Sequence, residues 1–200
     1  MINYIFFDVG GVLSTDTESF IIEEIVNNLH LDKESIKGAF RECAKDLQRG
    51  NISEEKFWSN FMISTGLNPH VDPVIDLCNV YRRHTITIDH SMQLADRLRS
   101  KGYGTGIITN TIRSIYKYNV ERGLFGDFNP VVVSCNEGLI KPEVQIYELA
   151  LKRANQTPEL CVFIDDKKKL LEAASDLGME TIFYVSPLEL EKELNKLGLI

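Results

Sequence analysis

No stretch of this 200-residue sequence approaches the roughly 20 consecutive apolar residues that cross a bilayer, which sets aside a membrane-spanning helix. The apolar run at residues 4–7 is too short for a signal peptide and no basic residue precedes it, so a soluble, cytoplasmic protein with no membrane partner is expected. Basic charge is scarce: 22 Lys and Arg stand against 29 Asp and Glu, a formal net charge of −7. That balance argues against nucleic acid as a partner, while leaving room for a local basic pocket that binds an anion. The cysteines number four (Cys43, Cys78, Cys135, Cys161), with no C-x-x-C pair. Neither a disulfide framework nor a zinc site is legible, and free thiols in a reducing compartment are expected. Repeats and low-complexity linkers are also lacking. With 44% hydrophobic and 26% charged residues, the composition is that of an ordinary globular protein. A chain this long buries roughly 70% of its unfolded surface, enough for one domain or one domain carrying a large insertion.

What is present is a set of short apolar runs. Residues 2–9, 105–109, 131–134, 161–165 and 181–185 are each too short for a helix and are bounded by Gly, Pro, Asn or Asp, so they read as strands. Helical patterns at 91–100, 112–122, 143–153, 169–177 and 188–197 alternate with them. This order predicts an α/β fold, a Rossmann-like parallel sheet with helices on both faces. One interval is too long. About ninety-five residues separate the first strand from the second, whereas a βαβ unit needs about 30.

The surplus reads as helices. Phe20, Ile21, Ile25 and Leu29 keep helical spacing, as do Ile36, Ala39, Phe40, Cys43 and Leu47, with Gly50 as a stop. Ser53 is placed to cap a third helix through Phe57, Trp58 and Phe61, and Pro73 to open a fourth through Leu77 and Val80. The expected organisation is a core of residues 1–14 and 86–200 with an inserted all-helical cap, 15–85.

Active sites of parallel sheets form at the carboxyl ends of the strands. The polar residues there are Asp8, followed by Gly10 and Gly11; Thr109 and Asn110; Lys141, following the third strand; and Asp165 with Asp166. Three carboxylates, one ammonium and one hydroxyl at one rim suit few chemistries. Carboxylates can hold Mg²⁺, and the metal, the lysine and backbone amides can neutralise a phosphoryl group.

Phe7-Asp8-Val9-Gly10-Gly11-Val12-Leu13 resembles the first motif of the haloacid dehalogenase superfamily, a strand running into D-x-D-G-x-[LV]. Ile107-Ile108-Thr109-Asn110 resembles its second motif, Lys141-Pro142-Glu143-Val144-Gln145-Ile146-Tyr147 its third, and Phe163-Ile164-Asp165-Asp166 its fourth. The order and spacing agree over the whole core. Within the insertion, the segment from Arg49-Gly50 to Phe57-Trp58 resembles the branch of bacterial glucose-1-phosphate phosphatases and of the N-terminal phosphatase domain of soluble epoxide hydrolases. The resemblance implies a phosphatase for a small phosphorylated metabolite such as a sugar phosphate. In that reading Asp8 is the nucleophile that becomes an aspartyl-phosphate. Mg²⁺ is held by Asp8, the Gly10 carbonyl and Asp166, with Asp165 behind them. Thr109 and the Asn110 amide bind phosphoryl oxygens, Lys141 neutralises nucleophile and phosphate, and Gly10 and Gly11 let the backbone approach the anion.

Two positions depart from the pattern. Gly10 stands where the superfamily usually has an acid/base aspartate, whose role is worth typically 10²–10⁴-fold. Leu170 replaces the Asn of D-D-x-x-x-N, a polar support of the metal site. Two rivals follow: a metal-free 2-haloacid dehalogenase, against which the acidic pair argues, and a weakened phosphate-binding or interaction protein. Away from the motifs the plain readings are kept. Residues 167–169, three lysines, form a solvated face; Arg113 lies on a helix surface; Trp58 and its neighbouring phenylalanines pack the cap; His30, His70, His84 and His90 have no ligand spacing.

Overall fold

The computed structural model describes residues 2–69 and 74–200. Five strands, β1 (Tyr4–Phe7), β2 (Gly104–Thr109), β3 (Val131–Val133), β4 (Cys161–Asp165) and β5 (Glu180–Phe183), form one sheet in the order β3-β2-β1-β4-β5, every pair parallel. The helices are α1 (Glu18–Leu29), α2 (Lys33–Gln48), α3 (Glu54–Ser64), α4 (Leu77–His84), α5 (Asp89–Ser100), α6 (Arg113–Glu121), α7 (Ser134–Glu137), α8 (Val144–Ala154), α9 (Lys168–Asp176) and α10 (Pro187–Lys196). None of them is long and apolar enough to cross a membrane.

Side-chain alternation sorts the central strands onto two faces. Ile5 and Phe7 of β1 and Val162 and Ile164 of β4 pack with Leu94, Ala95 and Leu98 of α5 and Leu190 and Leu194 of α10. Tyr4, Phe6, Cys161 and Phe163 pack instead with Ile146, Tyr147 and Ala150 of α8 and Leu171 and Ala174 of α9. Covering both faces is why these strands read as unbroken apolar runs.

Helices α1 to α4 bury their apolar stripes against one another. Ile25, Ile36, Phe40, Phe57, Trp58, Phe61 and Val80 belong to a single cluster, joined by Ile112 from the segment after β2. Trp58 meets Phe57 and Phe61 edge-on, at centroid distances of 4.9 and 5.6 Å, as packing residues do. The helix starts are fixed locally: the side chains of Asp32, Ser53 and Asp76 accept the backbone N–H groups of Ser35, Lys56 and Asn79. The fourth helix therefore begins at Leu77 behind an Asp76 cap; Pro73, expected to open it, lies outside the described residues, as does His70.

Other boundaries also differ from expectation, whereas β4 keeps the expected 161–165. β1 is shorter than residues 2–9, because the Val9 carbonyl turns to accept Leu13 and Ser14 N–H groups at 2.9 Å each. Ser134 ends no strand but begins the short helix α7. Its hydroxyl accepts the Thr111 N–H at 2.9 Å and donates to the Thr111 carbonyl at 3.1 Å, drawing it out of the sheet line. A 3-10 turn at Pro158–Leu160 leads into β4.

The end of α2 is anchored to the sheet side of the molecule. Arg49 pairs with Glu143, just ahead of α8, and Arg113 reaches the Gly50 carbonyl at 3.5 Å. Gly50 has φ +73°, and a Cβ there would stand 2.3 Å from the Cys135 carbonyl oxygen. Gly50→Ala is expected to combine a left-handed backbone penalty with a backbone clash, together about 2–4 kcal/mol. Thermal unfolding should show a Tm lower by roughly 5–10 °C; an unchanged Tm would mean that α2 and α7 can separate without loss.

Candidate active site

The strand order reverses at β1, with β2 on one side and β4 on the other, and ligands of open α/β sheets bind outside the carboxyl ends at such a point. Register sets what stands there. Phe7 pairs with Ile164 and with Ile107, so Asp8 lies level with Asp165 and one step short of Thr109. The Asp8 N–H extends the ladder by donating to the Ile164 carbonyl at 2.9 Å.

Lys141 enters from the loop after α7. Its ammonium, 1% exposed, lies 2.9 Å from Asp8 Oδ1 and 2.7 Å from Asp165 Oδ2. Asn110 holds that loop through both ends of its side-chain amide: Nδ2 donates to the Lys141 carbonyl at 3.0 Å, and Oδ1 accepts the Lys141 N–H at 2.8 Å. Its side chain thus serves the lysine's backbone, a role the sequence did not reveal. Glu143 adds a second hold, accepting the Ile140 N–H at 3.1 Å. The other oxygen of Asp165 accepts the Lys167 N–H at 2.8 Å, so this buried carboxylate is satisfied on both sides.

Charge is concentrated and enclosed. Burial opposes the Lys141 ammonium, but Asp165 and Asp8 overcome it and hold its pKa above the usual lysine value. Burial raises Asp165, with Asp8 adding to the effect and Lys141 opposing it. Burial likewise pushes Asp166 up to about 6, against the pull of Lys167 and with the help of Asp8 and Asp165. Asp166 Oδ1 is buried with no hydrogen-bond partner among the described residues. One oxygen from each of Asp8, Asp165 and Asp166 can be chosen so that all three lie within 4.8 Å of one another. Three carboxylates, one of them with an orphaned oxygen, are a donor set that fits a hard divalent cation, and a single buried lysine leaves their charge only partly compensated.

The two glycines of the turn differ. Gly11 has φ +84°, and a Cβ on it would stand 2.3 Å from Asp166 Oδ2, so only glycine admits Asp166 to the cluster. A Cβ on Gly10 would meet nothing within 4 Å. Sterics therefore do not require the absence of a side chain there.

A cavity of about 500 Å³ opens over the cluster, and Asp8, Gly10, Thr109, Asn110 and Lys141 line it. Leu170 lines it too. Its carbonyl accepts the Tyr147 hydroxyl at 2.8 Å, which fixes the backbone where the superfamily's Asn would stand. Of the three successive lysines, Lys168 and Lys169 are solvated as expected, but Lys167 lines the cavity, half-exposed and 3.6 Å from Asp16. Asp16, Glu18 and Arg41 complete the charged lining. Nothing in the sequence signalled them, because charges just before and on α1 and on α2 look like an ordinary solvated face. Arg113 points to Gly50 and is not among the lining residues. His84 stacks on Phe20 and His90 contacts Glu191, neither of them in the lining.

A family model of haloacid dehalogenase-like hydrolases matches residues 2–178. Rat bifunctional epoxide hydrolase 2 is 26% identical over 209 residues, which cover 95% of this chain and 38% of that protein. Mouse acyl-CoA dehydrogenase family member 10 is 28% identical over 204 residues, 96% of this chain and 19% of that one. The chain thus spans about a fifth to two fifths of the length of these mammalian relatives. The glyceraldehyde 3-phosphate phosphatase of Methanocaldococcus jannaschii is 26% identical over 198 residues, 91% of this chain and 84% of that one. Among solved structures, a HAD family enzyme from Bacteroides thetaiotaomicron in complex with magnesium and inorganic phosphate has a TM-score of 0.69 at 18% identity, covering 91% and 93% of the two chains.

The cluster is expected to make the protein's stability sensitive to pH and to divalent cations. A carboxyl whose native pKa is raised keeps its proton longer in the folded state, so its contribution falls as pH rises from about 4 through about 6. Asp166→Asn removes that buried charge. In EDTA at pH 7.5 it is expected to raise Tm by roughly 2–6 °C, the effect of about 1–2 kcal/mol in a chain of this size. Saturating Mg²⁺ should stabilise the wild type by about 2–3 kcal/mol at a hundred times its Kd and leave the variant nearly unmoved. Calorimetry of both proteins with and without Mg²⁺ checks this; equal Mg²⁺ responses would remove Asp166 from the cation site.

Proposed function

The chain belongs to the haloacid dehalogenase-like hydrolase family, and from that premise we propose that it hydrolyses a small phosphomonoester with Mg²⁺ as cofactor. The observation that carries this reading is the buried Asp8–Lys141–Asp165 ion cluster with the unpartnered Asp166 carboxylate beside it. The phosphatase name of the archaeal relative and the magnesium and phosphate complex of the Bacteroides enzyme lend it support.

In this mechanism a carboxylate oxygen of Asp8 attacks phosphorus, the bond to the leaving alcohol breaks, and an aspartyl-phosphate remains. Water then attacks phosphorus, breaking the bond to Asp8 and releasing inorganic phosphate. Asp8, Asp166 and the Gly10 carbonyl would hold Mg²⁺, with Asp165 supporting them. Bound there, the cation supplies positive charge that lets the anionic nucleophile approach an anionic substrate. Lys141 neutralises Asp8 and the phosphoryl group together, held in place by the amide of Asn110. Thr109, buried at the end of β2, donates its hydroxyl to a phosphoryl oxygen. The helical segment 15–85 acts as the cap that shields the reacting groups from bulk water. At position 10 no carboxyl hands the leaving group its proton, so that proton comes from water in the cavity. Metal-free halide displacement fits less well, because the acidic pair would then have no cation to hold.

Hydrolysis of p-nitrophenyl phosphate should require Mg²⁺, stop in EDTA, and fall at least roughly 1,000-fold in Asp8→Asn. Absence of phosphate release from this compound and from a panel of sugar phosphates would sink the reading. Gly10→Asp is expected to fold normally, since a Cβ there meets nothing within 4 Å. It should raise kcat at least roughly tenfold by restoring the acid/base carboxyl. A folded variant with unchanged kcat would show that proton transfer does not limit turnover.

A further inference from the structure

Glu143 stands at the start of α8, where a short polar side chain would cap the helix, yet its carboxylate caps nothing there. It turns back instead. Oε2 accepts the Ile140 N–H at 3.1 Å, and Oε1 pairs with Arg49 at the end of α2. The Glu143 N–H donates to the Ile140 carbonyl at 2.8 Å. The turn from Ile140 to Glu143 is therefore closed twice, once by backbone and once by this side chain. Lys141 is the second residue of that turn. Asn110 takes up both its N–H and its carbonyl, and Pro142 has no N–H to satisfy. These holds come from the turn itself or from the adjoining end of β2. Arg49 is different: it reaches in from 94 residues away, on the helices inserted after β1.

From this arrangement we infer that Arg49 and Glu143 are positioning residues for Lys141. The arginine aims the carboxylate, the carboxylate holds the Ile140 N–H, and the turn sets the ammonium between Asp8 and Asp165. The inference rests on the phosphatase reading only for what Lys141 does to a substrate. The Arg49 and Glu143 side chains are 23% and 34% exposed, and an ion pair this open to water adds little to stability. Its effect falls on direction. A free glutamate samples several rotamers, whereas one with Oε1 fixed by a guanidinium keeps Oε2 on the N–H. Asp46, the other acid near Arg49, is 4.0 Å away and more exposed, so it competes weakly. Precision matters here because the buried ammonium has contacts of 2.9 and 2.7 Å to its two carboxylates. A misplacement of about 1 Å in a reacting constellation can cost on the order of 100-fold in rate.

Native-state amide hydrogen exchange, with hydrolysis of p-nitrophenyl phosphate in Mg²⁺ run in parallel, tests this. Arg49→Met is expected to speed exchange of the Ile140 amide at least roughly fivefold. It should lower kcat roughly tenfold while KM changes less than about threefold. Glu143→Gln offers one oxygen to two donors and should act in the same direction. Joined with Arg49→Met, the glutamine has only the Ile140 N–H to serve, so the double variant should be no slower than Arg49→Met alone. Arg97→Met, which breaks a comparable pair with Glu191 between α5 and α10, is the control and should leave both readouts unchanged. A merely structural pair would lower Tm without moving either readout well below Tm. Wild-type kcat or wild-type Ile140 exchange in Arg49→Met, or losses that multiply in the double variant, would overturn the inference. Arg49→Met decides alone where the glutamine variant fails to fold. In a protein without turnover, faster Ile140 exchange keeps the positioning role and removes the phosphatase reading alone. Turnover with unchanged exchange removes the positioning role alone.

Discussion

One buried ammonium organises the molecule. Lys141 sits between Asp8 at the end of β1 and Asp165 at the end of β4, almost fully removed from water. Removing one partner from such a pair typically costs 3–5 kcal/mol, because the other charge is left buried and alone. The surrounding structure follows from keeping the three groups together. β1 and β4 must be neighbours, which the parallel order provides. The loop carrying Lys141 must cross the ends of the strands, and Asn110 at the end of β2 holds it there by two hydrogen bonds. Glu143 ties the same loop to Arg49 at the end of α2, so the helical segment is anchored within two residues of the lysine.

The sheet and the polar residues at its rim were legible in the sequence for a shared physical reason. A doubly covered parallel strand must be apolar along its length, so the first polar residue after it, Asp8, Asn110 or Asp166, marks the rim where the backbone emerges. Short linear signals suffice for that. They do not suffice for pairs made across the fold. Arg41 with Glu18, Lys167 with Asp16, and Asn110 with the backbone of Lys141 join elements without periodic relation, and each residue alone has an ordinary surface or turn reading. The short helix α7 was missed for a related reason: what bends the chain at Ser134 is a hydroxyl bonded to Thr111, 23 residues away.

The two departures from the superfamily pattern act at different levels. Replacing Asn by Leu170 removes a polar side chain, yet the turn that presents the acidic pair keeps its backbone bonds. The Leu170 N–H donates to the Lys167 carbonyl at 2.9 Å, and Tyr147 secures the Leu170 carbonyl. The loss is one of polarity in the cavity lining more than of support. Gly10 is the converse. Its neighbour Gly11 is required by the approach of Asp166, but position 10 is sterically free. An aspartate there would be a fourth carboxylate beside three, of which only Asp8 and Asp165 pair with the buried lysine, and would raise the cluster's demand for a cation.

That electrostatic limit also sets how an anion reaches this floor. The chain carries a net charge of −7, and its site concentrates acids, so the long-range field repels a phosphate. Screening confines the repulsion to about 8 Å at physiological salt, within which the nearby cations decide. Lys167 and Arg41 in the cavity lining and the buried Lys141 are the cations that a phosphoryl group of the proposed substrate would meet. Lys167 already answers Asp16, and Lys141 answers two carboxylates, so neither has a full charge to offer. The compensation is completed by whatever occupies the space between Asp8 and Asp166. In the proposed reading, anion binding and cation binding at this site would therefore be one equilibrium, each ligand raising the affinity for the other.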